Sequence, residues 1–101
     1  MKKNYELTDY ELMLDFFMKN KTRKTTGDEL KRLFGLNTIK LQSIIHDMRC
    51  NGIPILSYGN SGYGYNTNKE EIMKCYTSLM GRALSIIHSA NGLQNYLEEN
   101  V

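Results

Sequence analysis

The sequence predicts a protein that is mainly α with a small β-hairpin (α+β), closed by a long C-terminal helix. Three observations predict it. Two helical segments, with apolar periods over Leu30 to Phe34 and Leu41 to Met48, are joined by only Gly35-Leu36-Asn37, a stop followed by an N-cap. Two extended runs, Ile53 to Tyr58 and Tyr63 to Tyr65, flank Gly59-Asn60-Ser61-Gly62, whose residues tolerate positive φ and suit a hairpin tip. Beyond them, apolar residues from Ile72 to Leu97 recur at alternating steps of four and three.

The first helix is expected to begin at Thr8. Thr8-Asp9-Tyr10-Glu11 fits a capping box, and Leu7 and Leu12 can close over it as a hydrophobic staple. Tyr10, Met13, Leu14, Phe16 and Phe17 give it a broad apolar surface that other helices must cover, and the helix frays after Lys19-Asn20. Lys21 to Thr25 has no hydrophobic period and reads as a polar, basic connection. Thr26-Gly27-Asp28-Glu29 is a second capping box, whose acids oppose the positive end of the helix dipole. Leu30, Leu33 and Phe34 form the inner face, and Gly35 stops the helix. Leu36-Asn37 leads at once into the next one, a spacing that fits a helix-turn-helix.

In the third helix Asn37 serves as N-cap, and Leu41, Ile44, Ile45 and Met48 gather on one buried side. Winding the rest at about 100° per residue turns Ile39, Gln42, Ser43 and His46 to the opposite face, with Thr38, Lys40 and Arg49 on the flanks. Asn51-Gly52 ends the helix and Pro54 prevents it from resuming. The hairpin follows, with Tyr63 and Tyr65 on one strand face.

Gly52-Ile53-Pro54-Ile55, then Ser57, then Gly62-Tyr63 resembles the end of the recognition helix and the wing of the winged helix-turn-helix domain of the biotin-operon-repressor type. With the preceding helices the resemblance covers roughly Tyr10 to Tyr65. It implies a DNA-binding unit over residues 1–67, extended by a helical dimerisation segment over 68–101 packed with it as one globular unit. One departure stands out. The family often carries Arg or Lys at the wing tip, where this chain has Gly59, Asn60 and Ser61.

The long helix opens on Asn68-Lys69-Glu70-Glu71, an Asn cap with Glu at the third helical position. Ile72, Tyr76, Leu79, Ala83, Ile86, Ala90, Leu93 and Leu97 then keep a heptad a/d pattern, and Met73, Met80, Leu84 and Ile87 form a second row beside it. One row is expected to lie on the body and the other against a second subunit. The a/d residues are the expected dimer interface, with Ala83 and Ala90 permitting close approach. Gly81 and Asn91-Gly92 weaken the helix, and a break or bend is expected at Gly92.

At 101 residues the chain has room for one modest core. Cys50 and Cys75 have neither CxxC nor Cys/His ligand spacing, so no zinc site or disulfide framework is expected, and a reduced cytoplasmic location is. No apolar run reaches the roughly 20 residues that span a bilayer, so no membrane partner is expected; Met1 to Asn4 lack a signal-peptide core. Few alanines beside abundant Asn, Lys, Ile and Tyr suggest an AT-rich genome, as in a low-GC bacterium or phage. The formal charge of +2 is unevenly spread. Residues 19–40 hold seven cations against two acids, a local +5 suited to attracting a polyanion, or equally to plain solvated surface.

No nucleophile is paired with His46 or His88, Ser43 has no activating neighbour, and no glycine-rich phosphate loop occurs, so neither an enzyme nor a cofactor is expected. The third helix suits DNA reading: Gln42 can bond an adenine edge, Thr38 and Ser43 adapt, and Ile39 can touch a thymine methyl, while His46 on the same face reads as a base contact or, more simply, a solvated side chain. Lys40 and Arg49 are expected on phosphates. Thr26, Asn37, Asn60, Ser61 and Tyr63 complete the expected contacts with double-stranded DNA. The chain therefore reads as a small dimeric DNA-binding protein, a transcriptional regulator or replication accessory factor. The alternative is an interaction module for a host or phage protein, favoured by the uncharged tip, Ile39 and the clustered tyrosines.

Overall fold

In the computed structural model, which describes residues 4–100, three helices precede a hairpin and a fourth follows it. They are α1 (Leu7–Lys19), α2 (Gly27–Phe34) and α3 (Thr38–Cys50), then β1 (Ile55–Ser57) paired antiparallel with β2 (Tyr63–Tyr65), then α4 (Lys69–Glu99). The protein is thus mainly α with a small hairpin. Met1 to Lys3, which belong to the stretch read as lacking a signal-peptide core, lie outside the described residues.

The core lies where α1, α3 and β1 meet. Met13 and Phe17 of α1, Leu30 of α2, Leu41, Ile44, Ile45 and Met48 of α3, and Ile55 of β1 are buried together. The apolar side expected of α3 is therefore the side that packs. Thr26 and Asn37 cap α2 and α3 as their positions predict, accepting from the backbone N–H of Glu29 (3.2 Å) and Lys40 (2.8 Å). Between these helices Gly35 adopts φ +63°, and the N–H of Leu36 returns to the carbonyl of Lys31 at 2.9 Å, a left-handed end that reverses the chain within three residues.

Four expectations are corrected. Helix α1 begins at Leu7 with Glu6 as its uncapped N-cap, so Thr8 makes no capping box; Leu7 and Leu12 are exposed and form no staple. The anchor of that end is Tyr5 instead, which is buried and donates its hydroxyl to the Asp47 carboxylate of α3. Leu33 is also exposed, because α2 meets the core along its Leu30 and Phe34 side, where Phe34 packs edge-on against Phe16. The connection through Thr25 is no plain loop: Thr25 is fully buried and bridges to Tyr63 of β2, and the N–H of Thr22 donates to the Tyr65 carbonyl.

The fourth correction concerns α4. It runs unbroken through Asn91-Gly92, since an interior glycine costs only about 1 kcal/mol relative to alanine and here adds no steric conflict. Only Glu71, Ile72, Cys75 and Leu79 are half-buried; from Met80 onward every described residue is exposed. The first apolar row meets the body only through its start, at Ile72 and Leu79, and beyond them α4 projects away from it. The extents of 55 × 33 × 24 Å and the radius of gyration of 16.6 Å reflect this projection; a compact chain of this length would have about 13 Å.

Burial, and then the bond to Asp47, push the Tyr5 hydroxyl well above the ordinary tyrosine value, so the fold favours its neutral form. Stability from this group is fully present below about pH 10, the unfolded value, and is lost as the pH rises beyond it. Urea midpoints taken from about pH 8 to 11 should fall, and Tyr5→Phe should flatten that fall.

Candidate nucleic-acid interface

Because its four apolar residues face the core, α3 turns Thr38, Ile39, Lys40, Gln42 and His46 to solvent, with Ile39 65 % exposed. Ser43, at the edge of that face, is half-buried. Lys31 of α2 steadies the first turn by donating to Thr38 Oγ1 at 3.2 Å while pairing with Asp28 at the same distance. His46 Nε2 lies 3.4 Å from Cys50 Sγ one turn on. The backbone hydrogen bonds and rigid caps hold these side chains on a fixed scaffold, which is what groove reading requires of a short helix.

The start of α2 and the hairpin meet the same end of α3. A Cβ placed on Gly27 would lie 3.7 Å from Leu41 Cδ2 and 3.9 Å from Tyr63 Cε2. Exposed Thr26 and half-buried Tyr63 therefore neighbour the N-terminal half of α3, although the Thr26 hydroxyl and the Asn37 amide oxygen already serve as helix caps. Tyr63 packs against the core and leaves part of its ring outside. Asn60 and Ser61 are exposed on a 3-10 turn, Gly59–Ser61, at the hairpin tip.

Arg49 is placed differently from the expected phosphate contact. Its Nε–H donates to the Ile55 carbonyl and its Nη2 to Ser57 Oγ, both at 2.7 Å, so it clamps β1 to the end of α3. These bonds use two of the five N–H donors of the guanidinium and fix its position against β1.

The cations absent from the tip come from another part of the chain. Residues 22–25 run beside β2, and this pairing lays Lys24 Nζ 4.6 Å from the Tyr58 ring centroid and Lys21 Nζ 5.8 Å from that of Tyr65. Arg23 pairs with Glu29 (3.2 Å) and Lys19 with Asp15 (2.9 Å). Among the described residues, Lys21, Lys24, Arg32 and Lys40 make no ion pair with a carboxylate. Sequence reasoning flagged the basic segment but not its seat on the hairpin. The signal lay in Gly62 and Gly64: a Cβ on either would stand 2.0 Å from the Thr25 oxygen or 2.7 Å from that of Arg23, so this close pairing needs glycine at both.

No group of three His, Cys, Asp or Glu among the described residues is arranged to hold a metal, and none of their helices is long and apolar enough to cross a membrane. Comparison with known proteins finds no matching family model, curated protein or solved structure.

Gly62 combines φ +95° with that contact. Gly62→Ala should destabilise the protein by about 2 kcal/mol or more, the cost of a strained backbone plus a displaced strand. Chemical denaturation checks this, with Gly92→Ala, on the open surface of α4, as a near-neutral or stabilising control.

Proposed function

We propose that this chain is a dimeric winged helix-turn-helix protein that binds double-stranded DNA, acting as a transcriptional regulator or replication accessory factor of a bacterium or phage. The observation that carries the reading is the two-sided character of α3. One side is wholly buried, while Thr38, Ile39, Lys40, Gln42 and His46 are exposed and held on a capped, rigid helix beside a hairpin. In this reading α3 enters the major groove. Gln42 bonds an adenine edge and Ile39 meets a thymine methyl, as those side-chain chemistries allow.

Phosphate contact falls to Lys40 and to Lys21 and Lys24 on the hairpin, with Asn60 and Ser61 lying along the adjacent backbone. These lysines supply affinity and salt dependence rather than specificity. Projecting α4 joins two copies through Ile72, Tyr76, Leu79, Ala83, Ile86, Ala90, Leu93 and Leu97, and so fixes the spacing of two half-sites.

A second reading, an interaction module for another protein, is favoured by exposed Leu33 and Ile39 on adjacent helices and by the pairing of Arg23 and Lys31 with acids. A shift assay with mixed AT-rich duplexes at several salt concentrations separates the two. DNA binding should weaken steeply with salt, and Lys40→Ala, which removes one phosphate contact from each of two subunits, should reduce the slope of log K against log salt by about 1.8. Gln42→Ala should relax preference at one base pair by about 1–3 kcal/mol. No binding even at low salt would favour the second reading. Light scattering at tens of micromolar should return twice the 11.7 kDa chain mass.

A further inference from the structure

We propose that α4 pairs with α4 of a second copy in antiparallel register, residue i facing residue 169 − i, so that each helix end seats in a cleft at the root of the other. The proposal rests on the dimeric reading above and adds to it the direction, the register and the cleft.

The apolar seam is complementary to itself when one copy is reversed. In this register Ala83 faces Ile86 and Ala90 faces Leu79, a small residue against a large one in each layer, and the pairs Tyr76–Leu93 and Ile72–Leu97 complete the seam. All eight a/d residues find partners. A parallel pair would instead set Ala83 on Ala83 and Ala90 on Ala90, alternating hollow layers with crowded ones, which close packing disfavours.

The flanks point the same way. Met73, Met80 and Ile87 occupy one edge of the seam, and Cys75, Arg82 and Ser89 the other. Antiparallel pairing brings like edges together, Met80 beside Ile87 and Arg82 beside Ser89. Parallel pairing would force each apolar edge against the edge that carries Arg82.

The body supplies the third observation. An open cleft of about 370 Å³ lies between α4 and the start of the hairpin, lined by Ile53, Pro54 and Leu56 together with the seam residues Ile72, Tyr76 and Leu79. Register 169 delivers Leu93 and Leu97 of the second copy to it, side chains that are 71 % and 61 % exposed in the single chain. A parallel partner would carry its own Leu97 to the far end of the helix, about 38 Å away at 1.5 Å per residue.

The area is also sufficient. Nine large apolar side chains of α4 are exposed. Leaving out Leu84, which like Ser85 faces away from the seam, and taking about 80 Å² for each of the other eight, two copies would remove roughly 1,300 Å² from water, within the range of specific interfaces, about 1,200–2,000 Å². The consequence for the proposed DNA reading is that the two bodies stand at opposite ends of the helix pair rather than side by side.

The test uses the full chain carrying Cys50→Ser and Cys75→Ser, with a nitroxide at Ser85→Cys or at Glu99→Cys, two equivalent outward positions of the heptad. In the proposed register the paired labels are offset along the axis by about 2 Å at Ser85 and about 43 Å at Glu99. Pulsed electron–electron distances should therefore be longer at Glu99 by about 25 Å once the lateral separation of the helices is included. Light scattering on the same samples establishes the oligomeric state. A dimer with nearly equal distances at both positions overturns the register and leaves the dimer standing. A monomer at tens of micromolar overturns both and leaves this face for a different protein. Leu93→Asp with Leu97→Asp should raise the dimer dissociation constant about 30-fold or more while circular dichroism keeps the body folded; an unchanged constant overturns the cleft seating.

Discussion

The structure depends on the burial of one side of α3. Leu41, Ile44, Ile45 and Met48 are each 3 % exposed or less, and every other element of the body is fixed by reference to them. Helix α2 abuts through a three-residue turn, Tyr5 reaches Asp47 from the N-terminal side, Asn51 at its end donates to the Tyr10 hydroxyl at 2.9 Å, and Arg49 clamps β1. Rotation of α3 by even one residue would bring polar Gln42 or His46 into a space closed on all sides, where an unpaired polar group costs several kcal/mol. The exposed face is thus a consequence of the buried one.

The hairpin illustrates how charge is distributed by tertiary pairing rather than by local sequence. Strands of three residues are too short to stand alone, and the segment through Thr25 gives β2 a second neighbour. Gly62 and Gly64 allow the two backbones to approach, and this close pairing buries Thr25, whose hydroxyl finds no hydrogen-bond partner, and seats Lys21 and Lys24 over tyrosine rings. Lysine stems lie along apolar surface in this way while their ammonium groups stay in water. The hairpin therefore carries positive charge without a cation at its tip.

Helix α4 raises a different physical question. The last twenty residues of α4, Met80 to Glu99, are exposed and have no packing to stabilise them, whereas most helical stability in proteins comes from packing an apolar face rather than from propensity. Its apolar residues include nine large exposed side chains, more contiguous apolar surface than a lone soluble chain ordinarily leaves to solvent. Both facts are resolved together if the face is covered, since burial supplies the energy that propensity does not.

The sequence by itself determined the number and type of elements, the buried face of α3, the caps at Thr26, Asn37 and Asn68, and the hairpin with its tip at Asn60-Ser61. These follow from spacing within a few residues, where periodicity and cap chemistry act directly. It misjudged the start of α1 and the side of Leu33, because each depends on which distant element comes close enough to cover it, and the break at Gly92, where a cost of about 1 kcal/mol relative to alanine is too small to interrupt a long helix. The seat of Lys21 and Lys24, the clamp by Arg49 and the tie from Tyr5 to Asp47 were decided only in three dimensions. They join residues up to 42 positions apart in the chain, and no local pattern records which partner lies across such a distance.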